Sequence, residues 1–175
     1  MPTQESIRLI GNLLNWVTNN RSKIQKAMKT QAQWEIWLQV EIAIHLKSIT
    51  ELTIREQQYD NSQMSLDIFA TINETAFAIE LKTESLRTGR VSGMTMENAL
   101  LADKKKLLTQ SITQKAVSLN CKQLSTIVFG IGDISKYEST ASKMLKSNSN
   151  NFSSVKVDGQ FGVYAMLVKE CGLSE

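Results

Sequence analysis

The chain has 175 residues, long enough for one domain with a real core, and 42% hydrophobic against 21% charged residues excludes a disordered chain. No apolar run reaches the roughly 18 residues a membrane helix needs, and residues 1–23 lack the layout of a signal peptide. The reading is therefore an intracellular protein, cytoplasmic or nuclear, with no membrane partner. Lys+Arg exceed Asp+Glu by 20 to 17, a mild basicity compatible with a polyanionic partner but no evidence of one.

Residues 5–28 carry Ile7, Ile10, Leu13, Leu14 and Val17 at helical spacing, with a break at "TNNRS", 18–22. A second helix is predicted over 30–48, where Trp34, Trp37, Leu38, Val40, Ile42, Ile44 and Leu46 cover more than one face and imply that most of it is buried. Trp34 and Trp37 read as core rather than as base-stacking platforms. The acids Glu35 and Glu41 inside this apolar helix stand out.

At residue 49 the period changes from 3.6 to 2. Strands are predicted over 49–60, 64–72 and 76–84, joined by the turns "DNSQ" and "NET", which gives an antiparallel meander. "TGRVSG", 88–93, reads as a loop, 94–119 as a helix, 124–133 as a buried strand, 135–146 as a polar helix, 147–154 as a low-complexity loop and 161–168 as a last strand. A strand that follows a meander and a helix can rejoin the sheet in parallel. The fold class is α/β: a mixed central sheet, antiparallel meander plus parallel strand, flanked by helices.

The chemistry-bearing residues lie on the second and third strands. Alternation sets Leu66, Ile68 and Ala70 on one face and Asp67 on the other; in the next strand Ala78, Glu80 and Lys82 share a face. A hairpin brings Asp67 toward Glu80 and Lys82 if the two faces coincide. Two carboxylates, with the Leu81 carbonyl between Glu80 and Lys82, form a hard-oxygen set suited to Mg²⁺ or Mn²⁺. A neighbouring lysine can position or help deprotonate a water and offset phosphate charge.

"LD" at 66–67 followed by "IELK" at 79–82 resembles the core motif of the PD-(D/E)XK nuclease superfamily, of restriction-endonuclease-like fold. Leu66 stands where that motif often has proline. The resemblance covers about residues 30–132 and implies metal-dependent hydrolysis of nucleic acid, DNA before RNA, with Asp67 and Glu80 on the metal and Lys82 on the water. It also implies a supporting glutamate on the preceding helix, for which Glu35 is preferred and Glu41 is the alternate. A homodimer or an inhibitory protein partner is compatible with this reading, as is a non-catalytic binding module of the same fold.

Arg87 and Arg90, in the loop after "ELKTES", and Lys104, Lys105 and Lys106 of "DKKK" are the candidate phosphate contacts. His45, the one histidine, reads as a packed or capping residue. "GIGD", 130–133, is too weak for a phosphate loop. Cys121 and Cys171 match no zinc or redox spacing and read as buried thiols.

Overall fold

The computed structural model describes residues 2–30, 34–84, 94–148 and 151–173. Three helices come first, α1 (Gln4–Asn19), α2 (Arg21–Thr30) and α3 (Trp34–Lys47), then the strands β1 (Leu52–Gln58), β2 (Ser65–Ile72) and β3 (Thr75–Thr83). Next come α4 (Met96–Thr109), α5 (Thr113–Ser118), β4 (Gln123–Asp133), α6 (Tyr137–Asn148), β5 (Phe152–Val157) and β6 (Phe161–Gly172). The strands form one sheet in the order β1-β2-β3-β4-β6-β5, with β3 and β4 parallel and every other pair antiparallel. The molecule is thus α/β with a mixed sheet flanked by helices.

Period-2 alternation divides the core in two. Phe77, Ile79 and Leu81 of β3 join Ile127, Phe129 and Ile131 of β4 against the apolar stripes of α1, α2 and α3. Ala76 and Ala78 of β3 join Val128, Tyr164 and Met166 on the other side, under Met96, Leu100 and Leu107 of α4 and Met144 of α6. The meander turns at Asn73–Glu74, both with positive φ (46° and 61°), as a two-residue type I′ hairpin requires.

Three local expectations change. The helix expected over 94–119 is two, because Ser111 interrupts it. Its hydroxyl donates to Asp60 Oδ2 (2.7 Å) and accepts from Thr113 N (3.2 Å), offering the backbone an alternative to the helical ladder. The loop expected over 147–154 gives way to strand β5 from Phe152. Phe152 and Val157, its two buried residues, fall on opposite faces, so no apolar alternation announces it. Finally, α3 buries Trp34, Leu38, Gln39, Ile42, Ala43 and Leu46 but leaves Ile36 and Ile44 exposed, so it is covered on one side only. Cys121 is buried and Cys171 half-buried, and both are free thiols.

The glycines of "GIGD" serve packing. A Cβ at Gly130 would stand 2.9 Å from Leu100 Cδ2, and one at Gly132 2.9 Å from Glu84 Oε2. Bare backbone on β4 lets α4 settle low on the sheet, over the charged end of β3.

Candidate active site

β2 and β3 pair in register from Ile72↔Thr75 to Ile68↔Ile79, and there the ladder stops. Asp67 is the next residue of β2. Its Oδ2 accepts the Leu81 N–H at 2.6 Å, so a side chain takes over where the backbone ladder ends. Its Oδ1 accepts from Gln39 Nε2 (2.8 Å) on α3, and Gln39 Oε1 in turn accepts from Arg55 Nη2 (3.2 Å) on β1. On the β1 side, Glu56, which would face Asp67, has φ 54° and drops out of the pairing. A left-handed glutamate within a strand is a strained local conformation.

From this fork β3 presents Glu80 and Lys82 on the face toward α4, continuing the alternation of Ala76 and Ala78. Glu80 is fully buried; its Oε1 accepts from Tyr59 Oη at 2.5 Å and pairs with Lys106 Nζ at 2.7 Å. Lys106 also donates to the Ser65 carbonyl (2.8 Å) and lies 5.3 Å from the centre of the Tyr59 ring. Lys82 Nζ stands 3.3 Å from Asp103 Oδ2 and 3.7 Å from Glu35 Oε1. Glu35 Oε2 is fixed by the Thr83 N–H (3.0 Å) and hydroxyl (3.3 Å). Lys82 thus bridges Asp103 of α4 and Glu35 of α3.

Of the residues singled out in the sequence, Asp67, Glu80, Lys82, Leu81 and Glu35 come together. Glu41 goes elsewhere, to a groove between α2 and α3. Arg87 and Arg90 lie outside the described residues. On α4 Lys105 is exposed and Lys104 half-buried, whereas Lys106 turns inward onto Glu80 instead of forming part of an outward phosphate-binding row. Sequence reasoning missed Gln39, Tyr59 and Asp103. Asp103 has a legible signal: it follows Met96, Ala99 and Leu100 and precedes Leu107 at the spacing of α4's buried face. Glu84 was legible too, as the next period-2 position after Glu80 and Lys82. It is buried, accepting from Asp133 N (2.8 Å) and pairing with Lys136 Nζ (3.2 Å).

The electrostatics are unbalanced. Four carboxylates (Glu35, Asp67, Glu80, Asp103) share two directly paired ammonium groups (Lys82, Lys106), an excess of two negative charges when all are ionised. Burial pushes Glu80 up to about 7, with the charge of Asp67 next in importance; Lys106 and Tyr59 oppose the rise without cancelling it. Burial likewise raises Asp103 to about 6, against the pull of Lys82. Burial alone would lower Lys82, but Asp103, Glu35, Asp67 and Glu80 together raise it. Lys82 is therefore a cation at neutral pH. In this arrangement it donates to an anion or a water, and the expectation that it takes a proton from water does not fit its charge state. Burial, then Glu80, holds the Tyr59 phenol protonated.

Among the described residues no three His, Cys, Asp or Glu side chains converge closely enough to hold a metal ion. The donor chemistry nevertheless suits one. Every acid is a hard oxygen ligand, and the charge excess equals that of a divalent cation. No helix among the described residues is long and apolar enough to cross a membrane. Comparison with protein-family models, curated proteins and solved structures returns no match.

Proposed function

We propose that the protein is a metal-dependent nuclease that hydrolyses phosphodiester bonds in nucleic acid, DNA before RNA, with a site like that of the PD-(D/E)XK superfamily. One observation carries the reading: where β2 and β3 part, Asp67 accepts the Leu81 N–H between Glu80 and Lys82, and Glu35 of α3 stands beside the lysine. Asp67, Glu80 and the Leu81 carbonyl would hold Mg²⁺ or Mn²⁺. A bound divalent ion supplies Lewis acidity toward a phosphoryl oxygen and acidifies its own water.

The protein's own groups do the rest. Lys82, kept protonated by its acidic neighbours, is a donor for a phosphate oxygen or for the attacking water. Glu35 is anchored by Thr83 and aims Lys82 from the α3 side, while Asp103 restrains it from the α4 side. Tyr59 and Lys106 fix the Glu80 carboxylate. Purified protein with Mn²⁺ should cleave single- or double-stranded DNA, and Lys82→Ala should reduce cleavage to background at unchanged circular dichroism. If the wild type degrades neither DNA nor RNA with Mg²⁺ or Mn²⁺, the proposal is lost.

A second reading, a non-catalytic binding module, is favoured by the double engagement of Glu80 Oε1 with Tyr59 and Lys106. Calorimetric titration with Mn²⁺ separates the two. A nuclease shows a binding isotherm that Glu80→Ala removes; a module shows none.

A further inference from the structure

On the side of α3 away from the fork, α2 and α3 enclose a groove of about 540 Å³. Lys23, Lys26 and Thr30 line it from α2, and Trp34, Trp37 and Glu41 from α3. The α3 residues are spaced i, i+3 and i+7, so they form one stripe on that helix. Trp34 is buried, whereas Trp37 is half-buried and leaves part of its large aromatic surface open to the groove. The opposite wall is basic: α2 contains Arg21, Lys23, Lys26 and Lys29 and no acid. Arg21 is engaged with Asp158 at 2.7 Å, but Lys23, Lys26 and Lys29 are exposed and make no ion pair among the described residues.

We infer that this groove binds a single-stranded segment of nucleic acid, with a base against Trp37, its flanking phosphates on Lys23 and Lys26, and a base N–H donated to the Glu41 carboxylate. Each element of the groove selects for this occupant. Aromatic surface beside unpaired lysines is the combination by which proteins hold unpaired bases and their backbone. A duplex keeps its base faces stacked and offers the groove only phosphates. An acidic peptide has no base face to lay against the indole. A lipid surface calls for a broad apolar face, and this one is concave and charged on one wall.

The groove and the fork lie on opposite sides of the same helical turns. Residues 35 and 37 differ by about 200° around the axis of α3, and a helix is about 10–12 Å across. A strand held at Trp37 can therefore pass the N-terminal turn of α3 and reach Glu35 and Lys82. That last step rests on the nuclease reading; binding in the groove does not.

The test uses the full chain and a fluorescein-labelled single-stranded oligonucleotide in EDTA, read by anisotropy over a series of salt concentrations. Trp37→Ala should weaken binding about tenfold. The surface pair Lys23→Gln/Lys26→Gln should weaken it as well and lower the salt slope by about 1.4. Trp37→Phe should bind within a few-fold of wild type but lose most of the quenching of protein fluorescence. The inference is overturned if the lysine pair and Trp37→Ala bind like wild type. It is equally overturned if the matching duplex or phosphatidylserine vesicles compete as well as the single strand. Groove-dependent binding without any cleavage in Mn²⁺ would sink the nuclease proposal and leave this one standing; cleavage with groove-independent binding would do the reverse.

Discussion

Glu170 and Glu80 are both carboxylates tied into the protein by hydrogen bonds, and their environments push them in opposite directions. Glu170, on β6, accepts from Thr3 N (3.0 Å), Thr3 Oγ1 (2.7 Å), Ser125 Oγ (3.1 Å) and Ser6 Oγ, all neutral donors. Burial would raise its pKa, but these donors outweigh burial and lower it. Glu80 has a cation and a phenol on one oxygen, yet burial and Asp67 raise it to about 7. The difference lies in the neighbours. Hydroxyls that tie α1 to the sheet satisfy Glu170 without adding charge, whereas Glu80 shares its space with other acids. A carboxylate that only holds the structure together is stabilised as an anion; one kept uneasy inside a charge excess is a candidate for chemistry.

The widest separation between the two should appear in activity. Asp67→Ala and Lys82→Ala are expected to lower the rate of Mn²⁺-dependent DNA cleavage by about 10²–10⁴-fold, as loss of a positioned catalytic group does. Glu170→Gln should leave that rate unchanged in the same gel assay. In stability the ranking reverses. Glu170→Ala removes the carboxylate that accepts from Thr3, Ser6 and Ser125 and leaves the two fully buried serines only each other, which should cost about 1–3 kcal/mol in urea denaturation.

The pH profiles should then sharpen the contrast. A carboxyl whose folded pKa lies above its unfolded value stabilises the fold below the unfolded value, here 4.5, and loses that contribution as pH rises through the folded one. Glu80 should therefore cost stability on the order of 2–3 kcal/mol between pH 4.5 and about 7, and Glu80→Gln should flatten this part of the urea midpoint profile. Glu170 has the opposite sign: its contribution is present above 4.5 and is lost as pH falls through its lowered value. Glu170→Gln should change only the acidic limb. The smallest expected effect is that of Tyr59→Phe, which removes one hydrogen bond to Glu80 and should cost about 1 kcal/mol.

Much of this contrast is invisible in the sequence, for identifiable reasons. The strands of the meander and the shared face of Glu80 and Lys82 follow from local periodicity, which depends only on neighbours along the chain, and the parallel fourth strand follows from the order of the elements. The relation of Asp67 to that face does not. Asp67 reaches β3 through a side-chain bond made where the ladder stops, and alternation carries no information about where two strands part. Tyr59 lies just past the end of β1, so no strand or helix pattern directs it toward Glu80. On α4 the helical period puts Asp103 on the buried face, but nothing in "DKKK" says that Lys106 turns in to Glu80. The Glu170 cluster unites residues from both ends of the chain, as Thr3 and Glu170 are 167 positions apart.

The position of β3 adds a dynamic consequence. It pairs with β4 along all nine of its residues and with β2 from Thr75 to Ile79. Backbone amides in such a strand exchange with solvent only through openings close to global unfolding, unlike those of frayed ends and surface turns. The repulsion around Glu80 is thus anchored on a strand that β4 holds through its whole length. Local opening gives the acids no route apart, so relief has to come to them as a proton, a cation or a cationic partner.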